Sequence, residues 1–185
     1  MSFEESLIWH ASPTLASIKV ANLYSFQFDS MEECIQIMHQ FNSIMNPKGL
    51  YIELLKNTDD FYLIYVYRKS HLLQNLNRVH IQEFLKEYGY TGGNDLSTYF
   101  DVLKSRLLNQ VDFPHEIGVF LGYPLADVKA FIEDKGKNAV ICGNWKVYHD
   151  EKSARCLFCK YNHCREVYVK VYEGGRKFCD MLVGA

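Results

Sequence analysis

Between Ser30 and Ile44 the apolar residues Cys34, Ile35, Ile37, Met38, Phe41 and Ile44 recur at three- and four-residue spacing, the signature of one broad helical face. Ser30-Met31-Glu32-Glu33 reads as a capping box at its start, and Asn46-Pro47-Lys48-Gly49 ends it. Upstream, Ser12-Pro13 reads as a cap followed by a first-turn proline and predicts a short helix over Pro13–Val20. Asn22–Asp29 is aromatic-rich and strand-like. Leu50–Lys56 and Phe61–Arg68 read as two strands joined through Asn57-Thr58-Asp59-Asp60. The second is apolar or aromatic at almost every position, as a central strand covered on both faces should be.

From Lys69 to Gln110 the pattern turns helical. Leu72, Leu73 and Leu76 share one face, Val79, Phe84 and Leu85 another, and a turn at Tyr88–Asn94 leads to a helix carrying Leu96, Tyr99, Phe100, Leu103 and Leu107. A helix pair over 113–134 follows, bent at Gly122-Tyr123-Pro124. Val140–Tyr148 then reads as a strand, Asp150 caps a helix to about Asn162, and Glu166–Tyr172 alternates like a strand. Glu173-Gly174-Gly175-Arg176 signals a tight turn, and Lys177–Val183 reads as the last strand. These elements predict an α+β fold in one globular domain, residues 1–185. Its single mixed or antiparallel sheet would be built from N- and C-terminal strand–helix–strand–strand units, with a helical insert over about 69–134 packed on it.

Length and composition suit that picture: 185 residues, 48% hydrophobic, 15% aromatic, with 13 Tyr and 12 Phe. Charge is uneven. Residues 135–185 hold 10 of the 20 Lys and Arg but only 5 of the 22 Asp and Glu. A basic last third suits an anionic ligand or acidic partner, although solvated charged faces are the commoner reading. No apolar run approaches the roughly 18 residues of a membrane span, and MSFEESLIWH carries no secretory pattern. A cytoplasmic protein is expected, with its six cysteines as reduced thiols.

Four constellations bear on chemistry. Gly118 and Gly122, with Ile117, Leu121, Tyr123, Val128 and Phe131, match the spacing of a helix-turn-helix corner. The second helix, however, sets Asp127, Glu133 and Asp134 against only Lys129 and Lys135, which disfavours nucleic-acid binding. Cys156-x-x-Cys159 with Cys142, His163, Cys164 and Cys179 superficially suggests a metal site, with Cys156, Cys159, His163 and Cys164 as the ligand candidates. Because the pair lies inside a predicted helix, packed thiols are the preferred reading. His115-Glu116, in a first helical turn, could serve acid/base work or simply packing and capping. Lys135-Gly136-Lys137-Asn138 with Asn144-Trp145-Lys146 could hold a carboxylate or phosphate, or be an ordinary helix exit. No dinucleotide, serine-hydrolase, zincin or EF-hand motif is present.

Several segments also carry a family likeness: His10-x-Ser12-Pro13-Thr14-Leu15, Lys19-x-Ala21-Asn22-Leu23, Tyr65-Val66-Tyr67-Arg68, Phe113-Pro114-His115-Glu116-Ile117-Gly118, Phe120-Leu121-Gly122-Tyr123-Pro124, Lys135-Gly136-Lys137-Asn138 and Trp145-Lys146-Val147-Tyr148. Together they resemble a bacterial family designated domain of unknown function 3793, over nearly the whole chain. The resemblance implies a single-domain cytoplasmic bacterial protein and no assigned activity. The family pattern places Cys after the first His, where this chain has Ala11, which weakens a thiol-enzyme reading.

Three functions remain to be weighed. The preferred one is a small-molecule site, binding or catalytic, with His10, His115 and Glu116 as the catalytic candidates and Thr14, Arg68, Lys135, Asn138, Trp145 and Lys146 as ligand contacts. The second is a protein-interaction or homodimeric module, and the third a nucleic-acid binder. Cofactor and reaction are left open.

Overall fold

The computed structural model describes residues 1–91, 95–109 and 112–184, and shows an α+β fold. In order, α1 (Phe3–Leu15) leads to β1 (Ala21–Phe26) and α2 (Met31–Met45), then through a 3-10 turn to β2 (Leu50–Asn57) and β3 (Tyr62–Arg68). The helices α3 (Lys69–Leu76), α4 (Val79–Lys86), α5 (Leu96–Asn109), α6 (Ile117–Phe120) and α7 (Leu125–Glu133) follow. A two-residue hairpin, β4 (Ile141–Cys142) with β5 (Lys146–Val147), precedes α8 (Glu151–Glu173) and a final 3-10 turn, Phe178–Met181.

The main sheet is antiparallel in the order β1-β3-β2. β3 is therefore central, and its period-2 alternation feeds two cores. Leu63, Tyr65 and Tyr67 join Ala21 and Leu55 beneath α3–α7. Ile64 and Val66 join Tyr24, Leu50 and Ile52 against α1, α2 and the C-terminal segment. Every residue from Leu63 to Arg68 is buried, so the apolar run is explained by helices on both sides. Each fully buried aliphatic residue of this strand stabilises by about 1.5–3 kcal/mol. A bulge between Leu54 and Lys56 turns Lys56 toward α5, where its ammonium donates to Leu107 O at 2.9 Å.

The insert is helical, as its patterning predicts. The turn expected at Tyr88–Asn94 is described only in part, since residues 92–94 lie outside the described residues, as does Gln110. The helix pair is more compact than expected, because α6 has only four residues.

Three expectations need correction. First, the helix read from Ser12-Pro13 begins at Phe3, not Pro13. A capping box formed by Ser2 and Glu5 opens it, and Phe3, Leu7, Ile8, Ala11 and Leu15 bury one stripe. Pro13 is near the end of α1, and the carbonyl it leaves without its helical donor is that of the exposed Trp9.

Second, the strands expected at Glu166–Tyr172 and Lys177–Val183 do not form, so among the described residues the C-terminal half adds no strand to the main sheet. α8 runs unbroken for 23 residues, about 34 Å at the helical rise. The alternating valines and tyrosines also satisfy a helical face: Tyr168, Val169 and Tyr172 pack on the α1-side core, and the Tyr172 hydroxyl donates to Glu4 Oε1 at 2.8 Å. Tertiary packing overrides β propensity here. Gly174-Gly175 ends the helix, and the following turn inserts Phe178, Met181 and Leu182 into the same core. Third, the strand expected over Val140–Tyr148 shrinks to the β4–β5 hairpin.

Candidate functional site

The α6–α7 corner, the β4–β5 hairpin and the edge of β1 enclose a cleft of about 390 Å³. Two glycines allow the corner. A Cβ on Gly118 would approach Val128 Cγ2 to 2.8 Å, and one on Gly122, at φ +77°, would approach Val20 Cγ2 to 2.7 Å. The helices can thus close on each other and on the start of β1.

The hairpin is fixed to α7 by one carboxylate. Asp127 is 3% exposed, and its Oδ2 accepts the Trp145 indole N–H at 2.8 Å. Its Oδ1 accepts the backbone N–H groups of Tyr148 at 2.9 Å and His149 at 3.1 Å, with His149 Nδ1 at 3.2 Å. Three donors that the hairpin exit would otherwise leave unmatched converge on this side chain.

Trp145, so held, stacks on Tyr123 (centroids 5.1 Å apart) and meets Phe158 edge-on at 4.6 Å. The Tyr123 hydroxyl donates to Asn144 O at 2.9 Å, and burial, then the neighbouring Tyr161, pushes its pKa up to about 12. Phe113, Tyr123, Phe131 and Trp145 supply aromatic walls, and Leu23, Ile117 and Leu121 close the apolar floor. Polar groups sit at the edges. His115 packs edge-on against Phe131 at 4.9 Å. Lys146 donates to Gly136 O at 2.7 Å, with its ammonium 5.7 Å from the Phe131 ring. Cys142 is exposed on the hairpin wall.

The sequence candidates thus separate into two groups. His115, Trp145 and Lys146 line the cleft. Glu116 lies behind it, 1% exposed, accepting from the Tyr90 hydroxyl at 3.1 Å and paired with Arg106. Lys135 and Asn138 are exposed on the helix exit next to Gly136, both at positive φ, with the Asn138 amide donating to Asp134 Oδ2 at 3.4 Å.

His10, Thr14 and Arg68 belong to the α1 side. His10 stacks on Tyr24 at 4.6 Å, and burial, then Arg165, lowers its pKa. The Thr14 hydroxyl donates to Asn22 Oδ1 at 2.7 Å. Arg68, 1% exposed, donates through Nε to Thr14 O at 2.7 Å and through one Nη to Leu15 O at 2.6 Å and Val183 O at 2.7 Å.

The metal candidates do not converge. Cys156 and Cys159 are exposed on α8 while Cys164 is half-buried. Among the described residues no group of three or more His, Cys, Asp or Glu side chains is placed to hold a metal ion. No disulfide joins any of the six cysteines, and the packing expected of them holds for Cys34 alone in full, since Cys142, Cys156, Cys159 and Cys179 are exposed.

Sequence reasoning missed Asp127 and Lys19. Asp127 was visible only as a charge on an acidic helix, because its partners lie 18 to 22 residues away. Lys19 gave no local signal of its burial.

The profile of the family described as Protein of unknown function (DUF3793) matches residues 7–182. The chain belongs to this family. The match takes in the α1 side, the cleft and the hairpin together. No curated protein and no solved structure matched the chain. No helix among the described residues is long and apolar enough to cross a membrane.

Proposed function

We propose that the protein binds a small, largely apolar molecule carrying one anionic group, in the cleft between the α6–α7 corner and the β4–β5 hairpin. The observation that carries this reading is the lining: four aromatic rings around about 390 Å³, with the basic groups His115 and Lys146 at the edge. Ligand cavities commonly span roughly 300–1,000 Å³ with apolar walls and few polar groups. The Lys146 ammonium uses one proton on Gly136 O, leaving two for a ligand carboxylate. Binding is the reading that the lining supports, with His115 packed on Phe131 and Lys146 anchored on Gly136 O at the cleft edge. A cytoplasmic setting suits the free thiols.

Thermal-shift titration with naphthoate, phenylacetate and decanoate tests this reading. At least one is expected to raise the melting temperature in a saturable manner. Cys142→Trp fills the exposed hairpin wall and is expected to abolish that shift, while changing intrinsic stability by under about 0.5 kcal/mol as a surface substitution. An undiminished shift in the variant would place the ligand elsewhere.

A further inference from the structure

Basic side chains collect where α1 meets α8, and among the described residues no carboxylate forms an ion pair with Lys19 or Arg165. After α1 the chain reverses through Ser17, held at φ +64°, and the backbone N–H groups of Ile18 and Lys19 both reach Pro13 O. The reversal sends the Lys19 side chain inward, where it is 7% exposed. Its ammonium lies 5.5 Å from the Tyr123 ring centroid and 5.7 Å from that of Tyr161. Arg165 is one helical turn beyond Tyr161 on α8, its guanidinium 5.9 Å from the Trp9 ring. The buried Arg165 Nε has no hydrogen-bond partner among the described residues. His10, half-buried, follows Trp9 on α1.

Side-chain ion pairs among the described residues engage Lys104, Arg106, His149 and Arg155, but neither Lys19 nor Arg165. Glu166 and Glu173 line the groove beside Trp9 and Arg165, yet neither pairs with Arg165. Buried charge is ordinarily paired and hydrogen-bonded. Aromatic faces attract a cation but accept no strong hydrogen bond from it, so they do not replace the missing counter-charge.

We propose that this seam binds a compact oxyanion, the phosphate or carboxylate group of a small molecule, held by Lys19 and Arg165 with His10 at its edge. The two bases already feel the deficit. Burial first and Arg165 second pull Lys19 down to about 8 and lower His10. An anion between them reverses the second influence. Arg165 supplies a planar fork suited to two oxygens, and Lys19 a point charge from the interior side. Trp9, 49% exposed at the rim of the groove, gives the body of the ligand a face to stack on. The seam is separate from the cleft: Tyr123 stands between them, stacked on Trp145 in the cleft and lying under the Lys19 ammonium.

The test is a thermal-shift and calorimetric titration of the full chain with inorganic phosphate and, separately, acetate, at ionic strength fixed with potassium chloride. Phosphate or acetate is expected to bind saturably, with Kd on the order of 1 mM, and to raise the melting temperature. A response to phosphate alone assigns the site to phosphorylated ligands, and a response to acetate alone assigns it to carboxylates. Lys19→Met and Arg165→Met are each expected to weaken binding at least tenfold. Lys19→Met is also expected to melt higher than the parent in chloride alone, since it removes a buried unpaired cation. Arg165 is partly exposed, so its variant remains informative should Lys19→Met fail to fold. No response to either anion overturns the proposal. So does a linear, non-saturating rise shared equally by parent and variants, the mark of preferential exclusion rather than a site.

Discussion

Asp127→Ala is expected to destabilise the protein by about 3–5 kcal/mol, the range for removing one partner from a buried charged network. The loss exceeds that of an ordinary side-chain hydrogen bond because three donors are orphaned together: the Trp145 indole and the Tyr148 and His149 backbone amides. Among the described residues neither amide has another strand to pair with, since the hairpin has two paired positions on each strand. The indole loses both its orientation and its stacking on Tyr123. Asp127→Asn keeps one acceptor and is expected to lose less, about 1–3 kcal/mol. Urea unfolding followed by Trp145 emission in a Trp9→Phe background reads both, as Trp9 and Trp145 are the only tryptophans. Folded Asp127→Ala should show red-shifted emission and no response to naphthoate. A variant with parental stability and emission would mean that the hairpin holds its place by apolar packing alone.

The second large effect is expected at Arg68. Its guanidinium ties the end of α1 to the end of the chain by donating to Thr14 O, Leu15 O and Val183 O. The first two carbonyls belong to the last turn of α1, which has no basic residue of its own, so the cation also meets the negative end of that helix. Arg68→Ala leaves a buried cavity and unmatched carbonyls, with an expected cost of about 3–5 kcal/mol. Arg68→Lys keeps the charge but not the fork, and is expected to cost about 2 kcal/mol because one ammonium cannot span three acceptors in this geometry. Denaturant midpoints rank the two variants. Equal losses would show that fork geometry alone matters and that the retained charge contributes nothing. Burial lowers the Arg68 pKa, with nearby Tyr168 opposing, yet three carbonyl acceptors keep the proton in use.

Such dependence on distant partners explains what the sequence shows and what it hides. β3 was legible because an apolar run bounded by a hairpin turn has few other fates, and α2 because its cap and its periodicity agree. The C-terminal valines were ambiguous: Val167, Val169 and Val171 alternate like a strand, while Tyr168 and Tyr172 sit at helical spacing. Packing against α1, whose Glu4 bonds Tyr172 across a separation of 168 residues, decides between them, and no local pattern reports it. Ser12-Pro13 misled for the opposite reason. It is a strong local signal at the wrong end of its helix, outweighed by the buried stripe from Phe3 to Leu15.

Among the site residues, His115, Trp145 and Lys146 could be singled out because polar or large aromatic groups interrupt otherwise apolar or glycine-rich segments. Arg68 and Thr14 stood out in the same way and proved to be occupied with backbone carbonyls and a neighbouring amide. A polar residue in an apolar segment therefore marks a buried hydrogen-bonding obligation, and only the fold shows whether the chain itself meets it. At Lys19 and Arg165 it does not, which is why the α1–α8 seam invites an external anion.

The cleft itself is tested most directly by amide and indole NMR spectra of the labelled full chain, titrated with naphthoate. Saturable shifts are expected at the Trp145 indole N–H, Gly143, Lys146 and His115, with the core strand β3 unmoved. Saturable shifts confined to other surfaces, or an unperturbed Trp145 indole at saturation, would rule out the cleft as the binding site.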